Sequence, residues 1–182
     1  VKTPKRIAFG FSLSSLPLLE RLQASKNVDQ IFISDGSTLS VEKKIEGLGE
    51  SLPIDFLKDH WQKNNQIIFI GSLGAVVRLI SPFVRSKEKD PAILVIDSKA
   101  KNVITVMGGH KQGGDSFARE LAAALEAEVI CTSDSFTERR IPLDCFGEGW
   151  GWKRGGKNVD WRKLMISQSK EQKNIVFQVK GS

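Results

Sequence analysis

Residues 90–126, DPAILVIDSKAKNVITVMGGHKQGGDSFARELAAALE, decide the fold of this chain. Two apolar runs, Ala92–Ile96 and Val103–Met107, are rich in β-branched residues and flank a polar turn, so they predict two strands. A turn of this length allows an antiparallel hairpin. A glycine-rich loop, residues 108–114, follows the second run, and apolar residues then recur at helical spacing. The stretch therefore predicts strand, strand, glycine-rich loop and helix, in that order.

The glycine-rich loop contains a single imidazole, His110, shortly before the predicted helix. Backbone N–H groups at a helix N-terminus can receive an anion or an oxyanion. An imidazole can act as a general base, as an oxyanion donor when charged, or as a metal ligand. A tight strand-to-helix turn with a loop-ordering histidine explains the same residues equally well. The glycine spacing does not fit the dinucleotide-binding fingerprint, and the loop lacks the ending of a phosphate-binding P-loop.

Three sequence blocks in this region resemble the cobalamin biosynthesis protein G family (CbiG). The first is Asp90-Pro91-Ala92, with Val95 and Asp97 beyond it. The second is Gly109-His110, with Gly113 and Ala118, and the third is GSLGAVVR over residues 71–78. The chain departs from the family pattern at four positions of the second block, Gln112, Gly114, Asp115 and Phe117. Several blocks in the family's order are much more specific than one glycine-rich loop.

The resemblance implies a role in cobalamin (vitamin B12) biosynthesis. Proteins of this family open the δ-lactone of cobalt-precorrin-5A and release acetaldehyde. The cobalt arrives within the substrate, so we expect no cofactor and no metal site on the protein. An alternative is a non-catalytic tetrapyrrole-binding or interaction domain, fused to a precorrin methyltransferase in a larger corrin-pathway protein. Whether this chain is itself an enzyme therefore stays open.

The candidate site residues follow from these blocks. His110 is the candidate catalyst, as activator of water or as a group that polarises the lactone carbonyl. The candidates for substrate binding are Gly71, Gly74, Arg78, Gly108, Gly109, Gly113, Gly114 and Asp115. Arginine can grip a carboxylate with two parallel hydrogen bonds, although a structural ion pair of Arg78 with Asp90 or Asp97 is equally consistent. Asp115 near a helix N-terminus is more often a cap than a catalyst.

The alternation of strands and helices over residues 1–132 predicts an α/β N-terminal domain. We expect a three-layer, Rossmann-like, mostly parallel sheet with one antiparallel hairpin. Ligands of such sheets bind beyond the carboxyl ends of the strands, so the loops after Gly10, Gly71 and Gly108 are expected on one rim. Residues 34–49 are expected to form a polar loop with a short helix. Residues 133–182 are irregular and are expected to form a linker and the start of a truncated central region.

The composition of the chain limits the classes of partner that we expect it to bind. The formal net charge is +6, and most of the excess lies in residues 133–182, which favours an anionic partner. A polycarboxylate tetrapyrrole fits, whereas the absence of tyrosine and of zinc-finger spacing argues against nucleic acid. Other domains or enzymes of the corrin pathway are further expected partners. No apolar run is long enough to span a bilayer, and two cysteines are too few for a disulfide framework, so we expect a cytoplasmic protein.

Overall fold

The protein is built on one sheet, seen in a computed structural model that describes residues 4–34 and 45–132. In this part of the chain the strands are β1 (Lys5–Gly10), β2 (Gln30–Ser34), β3 (Leu48–Ser51), β4 (Asn65–Ile70), β5 (Ala92–Ile96), β6 (Asn102–Met107) and β7 (Glu128–Ile130). Their order across the sheet is β3-β2-β1-β4-β5-β6-β7. Every neighbouring pair is parallel except β5 and β6. The predicted mostly parallel sheet with one antiparallel hairpin is confirmed.

Helices cover both faces of the sheet. They are α1 (Leu16–Ala24), α2 (Pro53–His60), α3 (Leu73–Ile80) and α4 (Gly114–Leu125). Because successive side chains of a strand point to opposite faces, Ala8 packs with α1 and α4, whereas Ile7 and Phe9 pack with α2 and α3. Strands β4 and β5 are buried along their whole length, as expected for central strands with helices on both sides. The three-layer α/β architecture is therefore confirmed.

Because of the hairpin, the two glycine loops lie at opposite ends of strand β5. The Gly71 N–H donates to the carbonyl oxygen of Ile96 at 3.0 Å, which puts Gly71 beside the carboxyl end of β5. Gly108 instead packs against Pro91 and Ala92, at the amino end of the same strand. Five residues of strand separate these ends by roughly 16 Å. The prediction that the loops share one rim is wrong for Gly108, because β6 runs antiparallel to β5.

One edge strand was not predicted. Strand β3 pairs with β2 through Leu48–Ser51, where the sequence predicts the end of a polar loop. Its residues carry a weak strand signal, since a glycine and a glutamate occupy its centre. Residues 35–44 of the predicted loop and the predicted linker and central region, 133–182, lie outside the described residues. Among the helices that the structure describes, none is both long and apolar enough to cross a membrane.

The Asp97 carboxylate holds the turn of the hairpin. It accepts hydrogen bonds from the backbone N–H groups of Lys99 and Asn102 and from the Asn102 side chain, at 2.9, 2.6 and 3.0 Å. Partial burial acts to raise the pKa of Asp97, but these hydrogen bonds together outweigh it and lower the pKa. A lowered pKa means that the carboxylate stabilises the fold above its unfolded pKa of about 3.9, and that this stability is lost as pH falls through the folded pKa.

We therefore expect Asp97→Ala to lower the free energy of unfolding at pH 7 by about 1–2 kcal/mol. The difference between the two proteins should shrink as pH falls below about 4, where the wild-type carboxylate becomes protonated. Urea unfolding at a series of pH values measures both effects. A difference that stays constant down to the lowest pH would show that the charge of Asp97 does not hold the turn.

Candidate functional site

The glycine-rich loop is seated tightly under the amino end of β5. Gly108 has φ of +72°, and a Cβ there would lie 2.6 Å from Ala92 Cα and 2.8 Å from the Pro91 carbonyl oxygen. Gly113 also has φ of +72°. A side chain at Gly108 would clash with backbone and would adopt a left-handed conformation that L-residues disfavour. Packing against β5 therefore accounts for glycine at this position.

Three backbone donors at the start of α4 are already engaged within the loop. The Gly113 N–H donates to His110 O, the Gly114 N–H to Gly108 O and the Asp115 N–H to Gly109 O, at 3.1, 3.1 and 3.0 Å. These bonds close the loop on itself. They use the donors that the sequence analysis assigned to an anion or oxyanion. Stabilisation of a bound anion at this edge must therefore come from other groups.

A network of side chains ties the loop to the sheet. Gln66, at the amino end of β4, donates to the carbonyl oxygen of Gln112 at 2.7 Å and accepts from Arg6 Nε at 3.1 Å. Arg6 also pairs with Glu120 of α4 at 2.7 Å, and its guanidinium carbon lies 4.1 Å from the centre of the Phe117 ring. The network joins β1, β4, α4 and the loop, so it fixes where His110 lies relative to the sheet.

Asp115 packs back onto the loop. Its side chain is nearly buried, with 7% of its surface exposed, and a Cβ on Gly109 would come within 2.6 Å of both carboxylate oxygens. The residue that caps α4 is Gly113, in the left-handed conformation, so Asp115 is not the cap that the sequence suggested. A carboxylate in the first turn of a helix is nevertheless favoured by the helix dipole.

A cleft of about 540 Å³ opens between this loop and the segment that follows α3. Four of the predicted site residues line it, namely Gly108, Gly109, His110 and Asp115. Its apolar lining is Val84, Pro91, Val106 and Met107, and its cations are Arg85, Lys87 and Lys111. A lining that combines apolar side chains with cations suits a ligand that has an apolar body and anionic substituents. This cleft is therefore the candidate functional site in the described part of the chain.

The other predicted site residues lie elsewhere. Gly113 and Gly114 belong to the loop but do not line the cleft. Gly71, Gly74 and Arg78 follow β4, at the opposite edge of the sheet. The Arg78 guanidinium donates to Gly74 O at 3.1 Å, within its own helix, and not to Asp90 or Asp97. The structure therefore does not bring Arg78 together with His110.

The second wall of the cleft, residues 84–91, was not predicted from the sequence. Asp90 is buried there with 2% exposed, and its carboxylate accepts from the backbone N–H groups of Arg85 and Ser86, both at 2.8 Å. Its other oxygen accepts from Trp61 Nε1 at 3.2 Å. The available signal was a run of charged residues, RSKEK at 85–89, directly before the Asp90-Pro91-Ala92 block.

Two contacts connect the walls. The Gln112 side-chain amide donates to Lys87 O at 2.8 Å, and Lys111 Nζ lies 3.5 Å from a Glu88 carboxylate oxygen. The pKa of Glu88 is lowered, chiefly by a hydrogen bond from its own backbone N–H. Desolvation opposes this shift, and Lys111 and Ser86 add to it. Glu88 is therefore an anion at neutral pH, and it stands beside a cation of the cleft.

Cys131 lies next to the cleft but is not among the residues that line it. Burial raises the pKa of this thiol, and a contact with Thr105 Oγ1 at 3.2 Å opposes that shift only in part. A buried neutral thiol is a poor nucleophile. Within residues 4–34 and 45–132, no three metal-ligating side chains cluster in a way that could hold a metal ion.

Comparison with known proteins identifies the region that forms this cleft. Residues 55–135 match the family described as cobalamin synthesis G N-terminal. Cobalt-precorrin-5A hydrolase of Priestia megaterium is 49% identical over 86 residues, which are 47% of this chain and 23% of that protein. The enzyme of the same name from Salmonella typhimurium is 37% identical over 78 residues, 43% of this chain and 22% of that protein. The chain thus spans less than a quarter of the length of either relative.

A solved structure shares the fold. The crystal structure of a cobalamin biosynthesis protein G homolog from Sulfolobus solfataricus superimposes with a TM-score of 0.52 at 24% sequence identity. The match covers 70% of this chain and 36% of that one. Together with the family match over residues 55–135, these relatives confirm the resemblance read from the three sequence blocks. Residues 55–135 of the chain are therefore similar to the N-terminal region of the cobalamin synthesis G family.

Proposed function

We propose that this chain acts in cobalamin biosynthesis as part of a cobalt-precorrin-5A hydrolase. The substrate is a flat macrocycle bordered by acetates and propionates, and it binds in the cleft between residues 84–91 and 105–112. The cobalt belongs to the substrate, and the domain contributes no cofactor. His110 is the catalytic residue, and Gly108, Gly109 and Asp115 shape the site around it.

One observation carries this proposal. All residues that line the cleft, from Val84 to Thr132, fall within the segment 55–135 that matches the family. Strands β1, β2 and β3 and helix α1, which lie outside that segment, contribute no lining residue. The part of the chain that matches the cobalamin synthesis G N-terminal family is therefore the part that builds the cleft.

The reaction needs a base and a group that stabilises negative charge. His110 takes a proton from water as the water oxygen attacks the acyl carbon of the lactone. The carbonyl oxygen gains negative charge in that step, and the positive field of the cations that line the cleft stabilises it. The imidazolium then returns the proton to the alkoxide that leaves when the ring opens. Release of acetaldehyde then breaks the bond between the macrocycle and the carbon that bears the new hydroxyl group. The C–O–H of that carbon becomes the C=O of acetaldehyde, and the macrocycle keeps the electron pair and takes up the hydroxyl proton.

Acetaldehyde release provides the test. The chain as its gene encodes it is incubated with cobalt-precorrin-5A, and acetaldehyde is measured by coupled reduction with alcohol dehydrogenase and NADH. We expect release in proportion to the amount of protein, with none from a heat-denatured sample. Tight binding of the substrate without any acetaldehyde would refute the hydrolase and point to a domain that only holds the tetrapyrrole.

A further inference from the structure

Three cationic side chains line the cleft, and they come from both of its walls. Arg85 and Lys87 lie on the segment after α3, and Lys111 lies on the glycine-rich loop. The contact from Gln112 to Lys87 O holds the two walls together at 2.8 Å. No sequence block that marks the family contains Arg85 or Lys87. Their place at the cleft follows from the fold alone.

The wall that carries Arg85 and Lys87 is held in a defined position. At the start of this wall, the backbone N–H groups of Arg85 and Ser86 both donate to one oxygen of the buried Asp90 carboxylate. The Lys89 and Asp90 N–H groups both donate to Ser86 O, at 3.1 and 3.0 Å. A segment fixed by four hydrogen bonds presents its cations with less loss of conformational freedom on binding than an unstructured loop would.

Glu88 forms an ion pair with one of these cations, Lys111. Its carboxylate is 3.5 Å from Lys111 Nζ, and both side chains are accessible, with 64% and 39% exposed. An exposed ion pair of this kind is weak, so a ligand carboxylate can replace it. Glu88 is therefore an internal carboxylate that a ligand carboxylate must displace to reach Lys111.

We propose that Arg85, Lys87 and Lys111 recognise the peripheral carboxylates of the bound tetrapyrrole, and that Glu88 competes with the ligand for Lys111. This inference rests on the proposed function for the identity of the ligand. Arginine supplies paired donors to a planar carboxylate, and lysine supplies a point charge. The apolar lining between the cations, including Val106 and Met107, receives the macrocycle.

A stable octacarboxylate porphyrin is the probe, and its binding to the whole chain is followed by fluorescence. Arg85→Gln, Lys87→Gln and Lys111→Gln should each weaken binding about three- to tenfold. Lys89→Gln is the matched control, because it removes the same charge from the same segment at a residue outside the cleft lining. Its effect should stay below about twofold. A tetracarboxylate porphyrin should show smaller losses, which a merely structural role would not produce.

Glu88→Gln should change affinity in the opposite direction. Removing the internal competitor should tighten porphyrin binding about two- to threefold, whereas Glu50→Gln on the distant strand β3 should leave it unchanged. Weaker or equal binding by Glu88→Gln would overturn the competition.

Equal losses for Lys87→Gln and Lys89→Gln would overturn recognition by the cleft cations, whatever the turnover of the protein. The expected losses in a protein that releases no acetaldehyde would support carboxylate recognition while removing the hydrolase. The two proposals can therefore fail separately.

Discussion

Replacing His110 by alanine is expected to lower acetaldehyde release at least about tenfold, which corresponds to roughly 1.4 kcal/mol of transition-state stabilisation. Loss of a general base often costs about 10²–10⁴ in rate, so the effect can be much larger. The turn itself should survive, because its hydrogen bond runs from the Gly113 N–H to the backbone oxygen of His110. The free energy of unfolding should therefore change by less than about 1 kcal/mol.

The control for this variant is Arg78→Gln. Arg78 was predicted to bind substrate, but it lies at the opposite edge of the sheet, and its guanidinium donates to Gly74 O. Turnover of Arg78→Gln should stay within about twofold of wild type, as for other exposed substitutions away from a site. Steady-state assays and urea unfolding are made on both variants. If His110→Ala instead loses about 1–3 kcal/mol of stability and keeps normal turnover, the histidine orders the loop and is not the catalyst.

Gly108→Ala is expected to destabilise the fold by about 2–4 kcal/mol. The new Cβ would lie 2.6 Å from Ala92 Cα and 2.8 Å from Pro91 O, and backbone atoms cannot rotate away as a side chain can. The φ of +72° adds strain for any residue with a Cβ. The loop must therefore shift away from β5, and turnover should fall with it because His110 follows two residues later.

Gly74→Ala provides the matched control in the other glycine segment. A Cβ there would lie 3.3 Å from Arg78 Nη1, the end of a flexible side chain that can move aside. Alanine is favoured over glycine within a helix, so we expect unchanged stability or a gain of up to about 1 kcal/mol. Urea unfolding compares the two alanine variants directly. Equal stability for both would contradict the tight seating of Gly108 against β5.

Most of the fold could be predicted from the sequence because its signals are local. The β-branched runs around Asp97 specify the hairpin, and the apolar residues after the loop specify α4. Strand β3 could not be predicted, because Leu48–Ser51 is short and polar and becomes a strand only by pairing with β2. The position of Gly108 was mispredicted for a different reason. The rule for parallel strands was applied to it, although the predicted hairpin already reverses the direction of β6.

The candidate site was predictable only at the glycine-rich loop and the start of α4, where Gly108, Gly109, His110 and Asp115 line the cleft. His110 stands out as the imidazole of a glycine-rich loop, and it does line a cleft. Arg85, Lys87 and Lys111 carry no such mark, since charged residues in loops are common and usually solvated. They become candidates through the fold, which brings the segment after α3 against the glycine-rich loop. The donor role expected of Gly113 and Gly114 depended on which carbonyl groups lie nearby, and spacing in a sequence does not show this.

The proposed function places the tetrapyrrole at the amino end of β5, between the two walls of the cleft, and not at the carboxyl end, where parallel sheets usually bind ligands. Amide hydrogen exchange of the whole chain, with and without the octacarboxylate porphyrin, tests it most directly. We predict slower exchange in residues 85–90 and 108–112 when the porphyrin is bound, with unchanged exchange in residues 11–15 and 71–78. Protection of residues 11–15 and 71–78 without protection of 85–90 would contradict the claim and move the site to the other edge of the sheet.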